Sequence, residues 1–322
     1  MAEPAQERPS PPPPAPATGV RRWALPIALI VATFASTTYA GAGMGPTGSV
    51  PSIVTGLTFA LPLMAILLAH EFGHFIAGRR HGVDISPPYF IPVPIPGFLL
   101  GTMGAIIRMR GTIRSRNALL DVGAAGPLAG LVVALPVLVY GMWTSEVTDL
   151  PPAGQGFIME GRGVLYLALL YLTKGAIADG KDIFLTPTAF AGWAGLLVTM
   201  INLIPVGQLD GGHVAYALFG EKQNRYSERV RRALPWLGIG VCLAYGIPAF
   251  LAGKRGEPLA YELMAGVQWI VWAGLLWLMT RLGGPNHPPT GPEPLSPRRR
   301  LVAIGTLAIF VLLFMPSWVR QQ

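Results

Sequence analysis

Seven apolar runs, at about 23–42, 55–78, 119–143, 184–207, 233–252, 263–281 and 301–318, constrain this chain more than any other feature. Each comes close to the roughly 20 residues that an α-helix needs to cross the hydrocarbon core of a bilayer. In lipid every peptide N–H and C=O must be satisfied within the protein, so runs of this length fold as helices packed side by side. The expected fold is an all-α polytopic membrane protein with about seven transmembrane helices. Composition agrees: 52% of the residues are hydrophobic and 12% charged, against roughly 25% charged in an ordinary soluble domain. Across 322 residues, seven spans with short loops leave no room for a sizeable soluble domain.

Residues 1–22, rich in Pro and Ala and without periodic apolar pattern, are expected to be a disordered cytoplasmic tail, and 23–320 a single transmembrane domain. The run from Val164 to Leu172 is too short to cross and is expected to lie at an interface or re-enter. The first span also fits a signal peptide, with Arg21 and Arg22 before it and Ala40-Gly41-Ala42 as a small-residue cleavage pattern. Cleavage there would remove far more than the roughly 15–30 residues of a secretory signal, so an uncleaved span is expected. With a cytoplasmic N-terminus, three quarters of the Lys and Arg fall in inside segments (1–22, 79–118, 221–232 and 281–300), the asymmetry of the positive-inside rule. A multi-pass protein of a bacterial inner membrane follows. The net charge of +8 is then explained by loops facing an anionic leaflet, and calls for no nucleic acid. The single cysteine, Cys242, falls in an apolar run and reads as a small buried hydrophobe.

The second run carries His70-Glu71-Phe72-Gly73-His74. Four residues apart on a helix, His70 and His74 project from one face, so two imidazoles can hold one zinc ion. Glu71 lies about 100° round and can reach a water at the metal instead of the metal itself. Three ionisable groups in five residues are expensive in a membrane without a ligand. At about 1.5 Å per residue, Glu71 sits roughly 12 Å from Arg79, intramembrane but on the cytoplasmic side of the midplane.

Catalytic zinc usually takes three protein ligands and keeps one position open. Asp210 is the best candidate for the third, because it follows Asn202-Leu203-Ile204-Pro205-Val206-Gly207-Gln208-Leu209, where Pro205 and the glycines should unwind the fourth span at a similar depth. Asp121 is a rival carboxylate at the start of the third span, where helix capping or exposure suits it better. His81 and His213 read as boundary histidines rather than ligands.

These stretches, together with Gly126-Pro127-Leu128-Ala129-Gly130, resemble the site-2 protease family of intramembrane zinc metalloproteases, over about Pro51 to Gly220 with an extension toward His287-Pro288-Pro289. The chain is similar to the compact plant chloroplast and cyanobacterial branch, with no room for a PDZ or CBS domain. The resemblance implies a catalytic core at about 51–220, Zn2+ held by His70, His74 and Asp210, Glu71 as general base, and Asn202 holding the substrate or polarising its carbonyl. It also implies a transmembrane protein substrate, cleaved within or near its span, and an upstream site-1-type protease.

Pro87 to Pro96 is too rich in proline for helix, while Ile107 and Met109 alternate with Arg108 and Arg110 as a short strand or hairpin does. A small membrane-associated β-hairpin is therefore expected; family members are described as having one that re-enters the membrane. Its edge could hold an unwound substrate segment by main-chain pairing, with Ile107 and Met109 as substrate-binding positions. The Gly126 to Gly130 spacing suits close helix packing, and Trp23, Trp143, Trp236 and Trp318 suit interfacial anchoring. No role follows for His287. Two other readings are a CaaX-type membrane metallopeptidase, whose third ligand would be an intramembrane Glu not evident here, and a metal or proton transporter. Transport calls for polar groups strung across the bilayer, whereas this chain gathers them at one depth.

Overall fold

The computed structural model describes residues 20–45, 49–107, 109–110, 113, 115–151, 157–284 and 286–321. The expected disordered tail lies outside the described residues as far as residue 19, and helix begins at Val20. Helices α1 (Val20–Ala42) and α2 (Ile53–Arg80) pack together and lead into four short strands, β1 (Asp84–Ile85), β2 (Tyr89–Pro92), β3 (Thr102–Ile106) and β4 (Met109–Arg110). The long α3 (Arg116–Thr144) follows, then a cap of β5 (Glu146–Asp149), β6 (Ile158–Glu160), α4 (Val164–Lys174) and β7 (Lys181–Phe184). After it come α5 (Pro187–Asn202), α6 (Asp210–Phe219), α7 (Lys222–Leu251), α8 (Glu257–Leu263), α9 (Val267–Gly283), α10 (Pro297–Leu313) and β8 (Val319–Gln321).

Among the described residues, four helices are long and apolar enough to cross a membrane: Trp23–Ala42, Ile53–Arg80, Arg116–Thr144 and Lys222–Leu251. The pair Glu257–Leu263 and Val267–Leu282, bent by 45°, makes at most a fifth. The expected seven is a larger number, and the difference lies in 184–207 and 301–318, whose helices reach only 16 and 17 residues. Residues 181–184 are spent on β7, so α5 starts only at Pro187, and it stops at Asn202 ahead of Pro205. At the end of α10, Pro316 disfavours helix in the residue before it. The expected short run forms α4, too short to cross, with Tyr166 and Leu170 buried.

Helices α2, α3 and α5 form the centre, around Phe59, Leu63, Leu138, Trp193 and Met200. Helices in lipid gain little from excluding apolar surface and associate by close packing, which small residues permit. A Cβ on Gly73 would lie 2.5 Å from the Ala125 carbonyl oxygen, and one on Gly192 would lie 2.6 Å from Leu138 Cα. Both contacts need glycine.

A hairpin forms, but it pairs at longer range than the alternation at 107–110 suggests. β2 and β3 are antiparallel, with Tyr89 opposite Ile106 and Phe90 opposite Ala105, and β1 pairs with β4 through Asp84 opposite Arg110. Its tip does not remain at the end of the bundle where α2 closes. Ser36 Oγ on α1 donates to the Gly101 carbonyl at 2.7 Å, and Gly101, at φ +67°, packs against the α1 backbone. Ser36 is 16 residues beyond Val20, about 24 Å along the helix at its usual rise, so the hairpin runs most of the depth of the bundle.

At the other end, β5 pairs with β7 and β6 with β8. Between them Arg162 makes a bidentate pair with Asp182, at 2.8 and 2.7 Å, and reaches Glu160 at 2.9 Å. Tyr166 donates to Glu160 at 2.6 Å. Burial pushes the Glu160 carboxyl above its ordinary value. Trp143 and Trp236 are exposed as interfacial anchors would be, whereas Trp318 packs edge-on against Trp269 in the interior.

Candidate metal centre

The helical spacing of α2 places both imidazoles toward α3, and glycines on α3 make the space for them. A Cβ on Gly126 would overlap the His74 ring, and one on Gly130 would lie 3.1 Å from His70 Cβ. The Gly126 to Gly130 spacing, read from sequence as packing alone, therefore also seats the two rings. His74 Nδ1 lies 2.8 Å from the Val122 carbonyl oxygen. A carbonyl only accepts, so Nδ1 carries the proton and a neutral His74 leaves Nε2 free for a metal.

Asp210 comes to the same point from the broken end of α5. The chain leaves helix after Asn202; Pro205 has no N–H to continue it, and Gly207 turns at φ +56°. Ser227 Oγ accepts the Gly207 N–H at 2.9 Å and fixes the turn. Gly211 and Gly212 then lie against the carbonyls of residues 203–207, too close for side chains, so α6 restarts folded back with Asp210 in its first turn. A carboxylate there also meets the positive end of the helix dipole.

The resulting triangle is tight. His70 Nε2 to His74 Nε2 is 3.2 Å, and Asp210 Oδ2 lies 3.3 Å from each. Zinc bound tetrahedrally at about 2.0–2.1 Å has ligand atoms about 3.3 Å apart, so the three atoms match three corners of such a site. Two unprotonated imidazole nitrogens and a carboxylate oxygen repel one another unless a proton or a cation lies between them. The set fits zinc.

Glu71, buried beside His70, lines two adjoining cavities of about 390 and 250 Å³. Asn202 lines both as well, with its amide nitrogen 3.3 Å from His70 Nε2. The facing wall is the hairpin: Thr102, Met103, Gly104 and Ala105 border the smaller cavity, and Ala105, Ile106 and Ile107 the larger. Among the described residues no further strand pairs with β3, so one of its edges is open. Ile107 is thus at the cavity, while Met109 lies in β4 opposite Ile85.

The residues set aside from ligation lie elsewhere or engage other partners. Asp121 binds Arg299 in a bidentate pair, at 2.8 and 2.6 Å, and lies 2.8 Å from His81 Nε2. His213 does line the larger cavity, and its ring meets His287, a contact 74 residues distant in sequence that no local pattern announces.

Residues 58–245 match peptidase family M50. The chain is 37% identical over 221 residues to the probable zinc metalloprotease EGY2, chloroplastic, of Oryza sativa subsp. indica, covering 65% of this chain and 38% of the relative. It is 31% identical over 239 residues to EGY2 of Arabidopsis thaliana, covering 70% and 41%, and 32% identical over 216 residues to EGY1 of Arabidopsis thaliana, covering 64% and 38%. The chain spans about two fifths of the length of these relatives. With four helices among the described residues fit to cross a bilayer, and a His-His-Asp group between α2 and α6, the chain is a multi-pass integral membrane protein and belongs to peptidase family M50, the site-2 protease family.

Proposed function

We propose that the chain is an intramembrane zinc metalloendopeptidase that hydrolyses peptide bonds within or near the transmembrane segments of membrane proteins. The observation that carries this reading is the convergence of His70, His74 and Asp210 beside buried Glu71, in a cavity walled by an open strand edge. A bound zinc ion would polarise the scissile carbonyl and lower the pKa of a water molecule.

The chain's own residues supply the rest. Glu71 takes the proton from the attacking water and passes it to the leaving amine. The Asn202 amide donates to the substrate carbonyl as negative charge builds on its oxygen. A transmembrane helix hides its peptide bonds, so the substrate has to unwind; β3 with Ile107 gives the unwound segment a strand to pair with. Met109, on β4, is the second substrate-binding position of the hairpin.

The finer organisation belongs to the same proposal. The N-terminus is cytoplasmic, and the membrane is a bacterial inner membrane. α5 with the turn 203–209, and α10 with the segment after it, complete seven crossings within a domain of 23–320 whose catalytic core is 51–220. An upstream site-1-type protease prepares the substrate.

The test is purified protein with a single-span substrate. Glu71→Gln should keep stoichiometric zinc and lose cleavage by at least about 100-fold, as expected for a general base, whereas His70→Ala and Asp210→Ala should lose the metal too. Undiminished cleavage by Glu71→Gln would overturn the reading.

A further inference from the structure

A second pair of histidines stands beside the triad. His213, three residues after Asp210 on α6, lines the 390 Å³ cavity with His70, Glu71 and His74. It is 7% exposed. Its Nδ1 lies 2.7 Å from Nε2 of His287, which is 6% exposed in the loop between α9 and α10 and borders a different cavity.

His287 is held from three sides. Its backbone N–H donates to Asn224 Oδ1 at 3.0 Å, its ring stacks on Tyr216 with centroids 4.1 Å apart, and its Nδ1 lies 2.7 Å from the Pro288 carbonyl oxygen. That last contact sets every proton in the pair. A carbonyl cannot donate, so His287 Nδ1 carries the hydrogen; its Nε2 must then accept, and His213 Nδ1 carries the other. Burial pushes both imidazoles below their ordinary value, His213 to about 4, so both rings are neutral near pH 7. What remains is His213 Nε2, a bare acceptor with no hydrogen-bond partner among the described residues. His287 occupies the other ring nitrogen, and of the two residues it is His213 that lines the cavity holding His70, Glu71 and His74.

An extended peptide presents N–H groups on both sides. A substrate strand on β3 satisfies those facing the hairpin, and the ones facing away enter the cavity, where a buried N–H left unpaired is costly. Glu71 is engaged with the proton of the attacking water. We propose that His213, locked by His287 as an acceptor, is a substrate-binding residue whose Nε2 receives a backbone N–H of the extended substrate beside the scissile bond. This rests on the peptidase reading above.

The experiment is a scan of synthetic single-span peptides, each N-methylated at one amide around the cleaved bond, on zinc-loaded wild type, His213→Phe and His213→Gln. His213→Phe should raise KM about tenfold with kcat within about threefold and zinc content unchanged, and His213→Gln, which keeps an acceptor oxygen, should recover most of the loss. One N-methyl position should impair wild type and add nothing in His213→Phe. An unchanged KM, or no position that couples to His213, would overturn the assignment. Should His213→Phe not fold, the same scan on His287→Gln decides, since releasing the lock must shrink the effect at that amide and an undiminished effect refutes the role. A wild type that cleaves none of the unmethylated peptides would instead count against the peptidase reading.

Discussion

Gly126 determines where the His74 imidazole can lie, because a side chain there would occupy the volume of the ring. The hydrogen bond from His74 Nδ1 to Val122 comes from the same stretch of α3, so α3 both seats the ring and fixes its tautomer without supplying a ligand. Supporting contacts of this kind carry about 10–100-fold in metal affinity. Gly126→Ala should therefore weaken zinc binding by at least about tenfold, measured by competition with a chelator, while far-UV circular dichroism stays that of the wild type. A Cβ on Gly130 would lie 3.1 Å from His70 Cβ, so the neighbour has to give by only a few tenths of an ångström, and Gly130→Ala should cost less.

At the scale of elements, β3 and the break between α5 and α6 bring the two halves of the cavity together. A proline removes a main-chain donor and disrupts pairing at an edge. Ile107→Pro should lower cleavage of a membrane-spanning substrate by about tenfold or more with zinc content intact; equal cleavage by the two proteins would remove the strand-pairing step. Much of this was legible in the chain because its causes are local. His70 and His74 share a face by helical spacing alone, and Pro205 with Gly207 breaks α5 wherever the helix sits. What could not be read depends on distant partners. The pairing of β1 with β4 closes across 25 residues of proline-rich chain, and His287 meets His213 only because the loop after α9 folds beneath α6. The short length of α5 could not be read for a related reason: hydropathy does not register that residues 181–184 are drawn into a strand with 146–149.

At the scale of the whole molecule, the chemistry and the cap stand at opposite ends of the bundle. Arg162 joins β6 to β7 through Glu160 and Asp182, and removing it leaves two carboxylates without their cation. Arg162→Ala should reduce unfolding stability by about 3 kcal/mol, read as a shift in thermal or denaturant unfolding, with zinc affinity unaltered. Orientation is testable on the same scale: a reporter fused after Leu150 should be active only outside the cytoplasm, and cytoplasmic activity there would invert the proposed topology. The pairing of β6 with β8 bears on how the protein is made. Strand 158–160 finds its partner at 319–321, so it waits, unpaired, while every intervening helix is synthesised and inserted. Closure of the cap must then wait for residues 319–321, and a chain stalled before residue 319 would carry all three candidate metal ligands at one end of the bundle and an unclosed cap at the other.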